Sequence, residues 1–149
     1  MAKVEASAQR TIDAPAEQVY GYLADMHQHQ RFLPPQFSDF QVEEGGVGAG
    51  TVTRFTMTAG GRTRKYRMRV TEPEPGRTLL ESDTDSSLVT TFNVEPQGEK
   101  SRVRIFTSWD GAGGIGGFFE RTFAPRAVQR IYLDELDRLN AYARDQQAS

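Results

Sequence analysis

Apolar and polar residues alternate singly at the start of the chain. Val4, Ala6, Ala8 and Ile12 share one parity, and Lys3, Glu5, Ser7, Gln9 and Thr11 the other, with only Arg10 out of step. A period of two predicts a strand with one dry face. Pro15 then suits the first turn of a helix, where its missing N–H is not needed. With Ala14 as the cap, Glu17 lies near the positive end of the helix dipole. Val19, Tyr22, Leu23 and Met26 follow at helical spacing, which gives this helix an apolar stripe. A second short helix is predicted over 27–33, stopped by Pro34-Pro35.

From there to residue 110 the pattern predicts one strand after another. Phe40 and Val42 alternate with Asp39, Gln41 and Glu43, and a glycine-rich turn occupies 45–50. Phe55 and Met57 alternate with Arg54 and Thr56 as far as a tight hairpin at Gly60-Gly61. Tyr66, Met68 and Val70 alternate with Lys65, Arg67 and Arg69 in the clearest two-faced strand of the chain. After Pro75-Gly76 come a strand through Leu79 and Leu80, another with Leu88, Thr90, Phe92 and Val94 on one face, and a last with Val103, Ile105, Thr107 and Trp109. Short, regularly spaced strands with hairpin turns predict an antiparallel meander. The remainder is helical in period: Phe119, Phe123, Val128, Ile131, Leu136, Leu139 and Tyr142 recur at three- to five-residue steps. Pro125 predicts a kink or a delayed start to this helix.

The order is therefore strand, two short helices, about six strands and one long helix. The fold class is α+β, read as one domain over residues 1–149. A twisted antiparallel sheet must cover its dry face, and the C-terminal helix is the element large enough to do so. A curved sheet around a single helix leaves a gap that side chains fill only in part.

Composition narrows the partners. Net charge is −2 with a pI near 5.7, so no global positive field draws nucleic acid or an anionic membrane. There are no cysteines, which excludes disulfides and thiolate chemistry. No apolar run reaches the roughly twenty residues of a membrane span, and the N-terminus carries no signal-peptide pattern; the expected location is cytoplasmic.

The segment Ile12-Asp13-Ala14-Pro15-Ala16-Glu17-Gln18-Val19-Tyr20 resembles the first strand-to-helix junction of START-like proteins of the polyketide cyclase/dehydrase type. Gly48-Ala49-Gly50-Thr51-Val52 resembles the glycine turn that opens their third strand. The resemblance covers the chain in element order. It implies a helix-grip fold, with a curved sheet of about seven strands around the long C-terminal helix and a hydrophobic cavity between them. It does not imply one chemistry, because such proteins include cyclases, lipid and quinone binders and co-chaperone-like proteins.

The dry faces supply the pocket candidates: Phe32, Phe55, Met57, Tyr66, Met68, Leu80, Leu88, Phe92, Val103, Ile105, Trp109, Phe119 and Phe123, with Ser82, Thr90, Thr107 and the Tyr66 hydroxyl as polar handles. Apolar walls with a few hydroxyls suit a flat or elongated hydrophobic ligand. Tyr66, Thr107 and Asp110 are the candidates for catalysis. His27 and His29 point to opposite sides of a helix and cannot chelate one metal together, so no metal site is predicted. A general-base role stays open to either, because imidazole titrates near neutrality, with surface positions the first expectation for both. Gly111-Ala112-Gly113-Gly114-Ile115-Gly116 matches a dinucleotide fingerprint, but no parallel strand follows. Its expected role is a flexible gate before the long helix.

Arg62, Arg64, Lys65, Arg67 and Arg69 form a basic run, read as a solvated sheet face balanced by Glu81 and Asp83, with an acidic protein partner as the competing idea. Three functions follow in order. The first is non-covalent binding or carriage of a small hydrophobic molecule (lipid, quinone or polyketide-like) without a cofactor. The second is a cyclase, aromatase or dehydrase, and the third a protein-interaction module.

Overall fold

The computed structural model describes residues 3–59, 61–111 and 114–148, with the backbone alone for 114–123. Strand β1 (Lys3–Ile12) leads into helices α1 (Ala16–Ala24) and α2 (Met26–His29) and a 3₁₀ turn (Gln30–Phe32). Strands β2 (Phe37–Glu44), β3 (Val52–Ala59), β4 (Arg62–Glu74), β5 (Thr78–Asp83), β6 (Val89–Gln97) and β7 (Lys100–Asp110) follow, and α3 (Gly114–Ala148) ends the chain. The seven strands form one antiparallel sheet in the order β1-β7-β6-β5-β4-β3-β2. This is the helix-grip fold.

The helix lies across β1, where Ala6 and Ala8 are small enough for close approach and are 5% exposed. Ile131, Leu136, Leu139 and Ala143 of α3 meet Ile12, Val103 and Ile105 in the core. At its far end the helix is tied back by Asp13, whose N–H donates to Asn140 Oδ1 at 2.9 Å and whose carboxylate pairs with Arg144 and Lys100. With α3 held over β1, α2 and strands β2–β6 surround the space left beside it. In β2, Asp39 adopts a positive φ of 53° and the register to β3 slips between Ser38 and Gln41. That bulge puts Phe37 and Phe40, three residues apart, on the same inner side.

The glycine turn is docked rather than loose. Met26 N–H donates to Gly46 O at 2.8 Å and Gly48 N–H to Ala24 O at 3.0 Å. Glu72 of β4 accepts from Tyr20 Oη at 2.6 Å and from Ala49 N–H at 2.8 Å. Gly48 has a φ of +69°, a conformation that L side chains rarely adopt, and a Cβ there would also displace the end of the Glu72 side chain, so the position favours glycine.

Several expectations are corrected. Pro15, not Ala14, is the cap of α1. The long helix starts at Gly114 and continues through Pro125; Ala112 and Gly113, at the centre of the expected gate, lie outside the described residues. In β5 the buried residues are Leu79, Glu81 and Asp83, so Leu80 and Ser82 belong to the outer face. Two adjacent leucines leave the phase of a six-residue strand ambiguous. Pairing resolves it, because Glu81 lies opposite Val70 and Thr90, both inward. Glu81 and Asp83 therefore do not balance the outer arginines. Asp83 accepts from Arg67 N–H and Ser86 Oγ, while the Arg67 side chain pairs with Glu43 at 2.7 Å.

Candidate functional site

Between α3, α2 and strands β2–β6 lies a cavity of about 40 Å³, room for about three waters at roughly 10–15 Å³ each. Its walls are apolar: Leu33, Phe37, Phe40, Phe55, Leu88 and Phe92, with Met26, Met57 and Met68. Thioether side chains repack easily, so three methionines let such a wall widen around a ligand. Into this apolar space project His29, Tyr66, Glu81, Thr90, Tyr132 and Glu135.

His29 ends α2 and is 3% exposed, which corrects the surface position expected for it; His27 alone is exposed. Asp25 caps α2 by accepting from His27 N–H, and this short helix turns His29 inward against Phe32, stacked at 4.9 Å. Nδ1 of His29 lies 2.8 Å from Leu23 O and Nε2 lies 3.2 Å from Glu135 Oε2. A carbonyl only accepts, so Nδ1 carries a proton, and a single further proton is shared between Nε2 and Glu135. Burial alone would lower the His29 pKa; the hydrogen bond and charge of Glu135, with the charge of Glu81, outweigh it and hold the pKa above the ordinary histidine value. Glu135 itself sits on the apolar stripe of α3, one residue before Leu136 and 2% exposed.

Glu81 is also buried, and desolvation pushes its carboxyl up to about 7, with Glu135 adding to the rise and His29 opposing it. Tyr132, one helical turn before Glu135, is pushed up to about 12 by burial. Its hydroxyl begins a directed chain. Thr107 gives its only proton to Val89 O at 3.0 Å, so the 2.9 Å contact between Thr90 and Thr107 requires Thr90 to donate. Thr90 Oγ1 is left to accept from Tyr132 Oη at 3.5 Å, a distance at the limit of a hydrogen bond. The Tyr132 proton is thus only weakly held by Thr90.

Of the residues expected to line a pocket, Phe55, Met57, Tyr66, Met68, Leu88, Thr90 and Phe92 meet around this cavity. Phe32 stacks behind His29, and Val103 and Ile105 are core residues under α3. Thr107 stands one hydroxyl behind the wall. Trp109 is half-buried on β7 opposite Val4. Leu80 and Ser82 face outward, and the Phe119 and Phe123 side chains lie outside the described residues. Asp110 is exposed and pairs with Lys3 at 3.4 Å, away from the cavity. Of the four titratable groups that matter most, Glu81, Tyr132 and Glu135 are not among the expected site residues, and His29 is expected at the surface with a general-base role left open. Glu135 had a readable signal, a carboxylate in the middle of an apolar helical stripe. Glu81 had one only through its cross-strand neighbours.

Among the described residues no three His, Cys, Asp or Glu side chains form a metal-binding group, and no helix is long and apolar enough to cross a membrane.

The chain matches the family described as polyketide cyclase/dehydrase and lipid transport over residues 1–144. Among solved structures it is similar to the KanY protein, with 36% identity, a TM-score of 0.85, and 97% of this chain and 99% of that one covered. It is similar in fold to TTHA0849 from Thermus thermophilus, with 21% identity, a TM-score of 0.82, and coverage of 95% and 98%. The Zhui aromatase/cyclase from Streptomyces sp. R1128 shares the fold at 17% identity and a TM-score of 0.76, with 96% and 94% covered. No curated protein matches the chain. A sheet gripping one long helix around an apolar cavity, joined to a family match over nearly the whole chain, makes this protein a member of the polyketide cyclase/dehydrase and lipid transport family.

Proposed function

We propose that the protein takes a small, largely apolar carbonyl compound into this cavity and moves a proton on it through the His29–Glu135 pair, as a cyclase or dehydrase would. The observation that carries this reading is the buried hydrogen bond between His29 Nε2 and Glu135 Oε2 at 3.2 Å inside an otherwise apolar wall. Simple carriage of a hydrophobic molecule is the competing reading. It has no use for an imidazole and two carboxyls in the cavity, and burying such groups is unfavourable unless they are paired. Placing titratable groups with shifted pKa values in an apolar cleft is how acid–base sites are built.

Glu135 Oε2 is engaged by His29, and no described hydrogen bond reaches Oε1, so Oε1 is the atom available to a substrate. In a dehydration, the proton on the carbon beside the carbonyl passes to Oε1. The C–H electron pair becomes the new C=C bond, the β C–O bond breaks, and the same proton returns to the leaving hydroxyl as water. His29, charged, balances the carboxylate before and after the transfer.

The test uses 4-hydroxy-4-phenylbutan-2-one, whose dehydration to the conjugated enone is followed by absorbance. Turnover by the wild type and a loss of about 10²-fold in Glu135→Gln is the expected result, with the fold checked by circular dichroism. Equal rates in the two proteins would reject proton transfer by this pair. Binding without turnover would leave carriage as the function.

A further inference from the structure

Glu81 is the one inward carboxyl of the cavity that no described hydrogen bond reaches, and it is only 9% exposed. Glu135 has His29, Asp83 has Arg67 N–H and Ser86, and Glu72 has Tyr20 and Ala49. Its oxygens are not among the described polar atoms sealed off without a partner, so they stay open to a water-sized probe, and the opening they face is the cavity. Glu81 stands directly across the ladder from Thr90, and cross-strand neighbours hold their Cβ atoms about 4.5–5.5 Å apart. Tyr132 reaches the same Thr90 at 3.5 Å from the helix side. The Glu81 carboxyl and the Tyr132 hydroxyl therefore flank one region of the wall.

We propose that Glu81 acts as a neutral acid that, with Tyr132, donates a hydrogen bond to the carbonyl oxygen of the bound molecule and selects ligands that carry one. This rests on the proposed function and names its recognition element. Burial in an apolar wall favours the uncharged carboxyl, which has a proton to give; its pKa near 7 agrees. A donor pair of this kind also stabilises the enolate that forms when a proton leaves the adjacent carbon. An amine ligand would instead require Glu81 charged beside the Glu135 carboxyl, which the arrangement disfavours. The Tyr132 proton, weakly held by Thr90, turns to a better acceptor at little cost.

The experiment compares 2-acetylnaphthalene with 2-isopropenylnaphthalene, of closely similar shape with a methylene group in place of the oxygen, by nuclear magnetic resonance titration at pH 6. The wild type is expected to bind the ketone at least about tenfold more tightly, because a site built to hydrogen-bond a group rejects the analogue without it. Glu81→Leu removes that preference, whereas Glu81→Gln, which keeps a neutral N–H donor, retains most of it. Equal binding of the two compounds by the wild type overturns this inference and leaves the cavity reading intact. So does a Glu81→Gln variant that behaves like Glu81→Leu. Failure of both naphthalenes to bind overturns the cavity reading itself and this inference with it.

Discussion

Glu72 and Glu81 lie on neighbouring strands of one hairpin, and their surroundings are opposite. Glu72 receives a tyrosine hydroxyl and a backbone N–H, and it joins α1, the glycine turn and β4 into one rigid corner. Glu81 receives no described hydrogen bond; only the charge of His29 acts in its favour, and it faces a mostly apolar cavity. A carboxylate that is fully partnered stabilises the fold, and one left without partners weakens it. The contrast separates the structural pole of the molecule from its chemical one. It also means that removing the two carboxyls should change stability in opposite directions.

The largest expected effect is at the rigid corner. Glu72→Ala removes two hydrogen bonds to a charged acceptor and is expected to cost about 3–4 kcal/mol, read by urea unfolding. Unchanged stability would mean that the corner is held by packing alone.

Glu81→Leu is expected to stabilise, on the order of 3 kcal/mol at pH 8, from a rise of its pKa from 4.5 to about 7. The sign follows from which state binds the proton more tightly. The folded protein does, so the contribution of Glu81 is fully favourable below pH 4.5 and is lost as pH rises through about 7. His29, held above 6.5, acts in the same sense: its stabilisation is present below 6.5 and lost above its raised value. Wild-type stability should therefore fall from about pH 4.5 to about 7, and further as His29 loses its proton above 6.5, and the fall should be shallower in Glu81→Leu. Parallel profiles for the two proteins would show that Glu81 is not the group responsible.

The smallest effect concerns the hydroxyl chain behind the wall. Thr107→Val keeps the volume but removes the acceptor for Thr90, which then turns its proton towards Tyr132. A loss of about 1 kcal/mol is expected, with a stronger preference for the ketone probe, since a Tyr132 hydroxyl that accepts from Thr90 has its own proton free for the ligand. A preference only as strong as the wild type would detach Tyr132 from recognition.

Much of the architecture is legible in the residue pattern. Single alternation in β1, β4, β6 and β7 marks the dry faces, and seven cavity residues from Phe55 to Phe92 follow from parity alone. Where parity fails, there is a local cause. In β5 the Leu79-Leu80 pair hides the phase, and in β2 the bulge at Asp39 replaces a period of two by a step of three between Phe37 and Phe40. For His29 the pattern points to the surface, because a polar side chain on a short helix usually lies there. Its burial depends on Glu135, 106 residues away in the chain.

By itself, then, the order of apolar and polar residues determined the sheet and its covering helix, because periodicity records which face each element dries, while the family was signalled by the resemblance of the segments 12–20 and 48–52. The polar centre was decided only by tertiary structure. His29 comes from α2, Glu81 from β5, and Tyr132 and Glu135 from α3. No local spacing links them; they meet because α3, pinned to β1 by Asp13, crosses a sheet whose strands β2–β6 surround one cavity with α2. What each carboxyl does there depends on the partners that crossing supplies or withholds, and these are distances between elements rather than properties of any one segment.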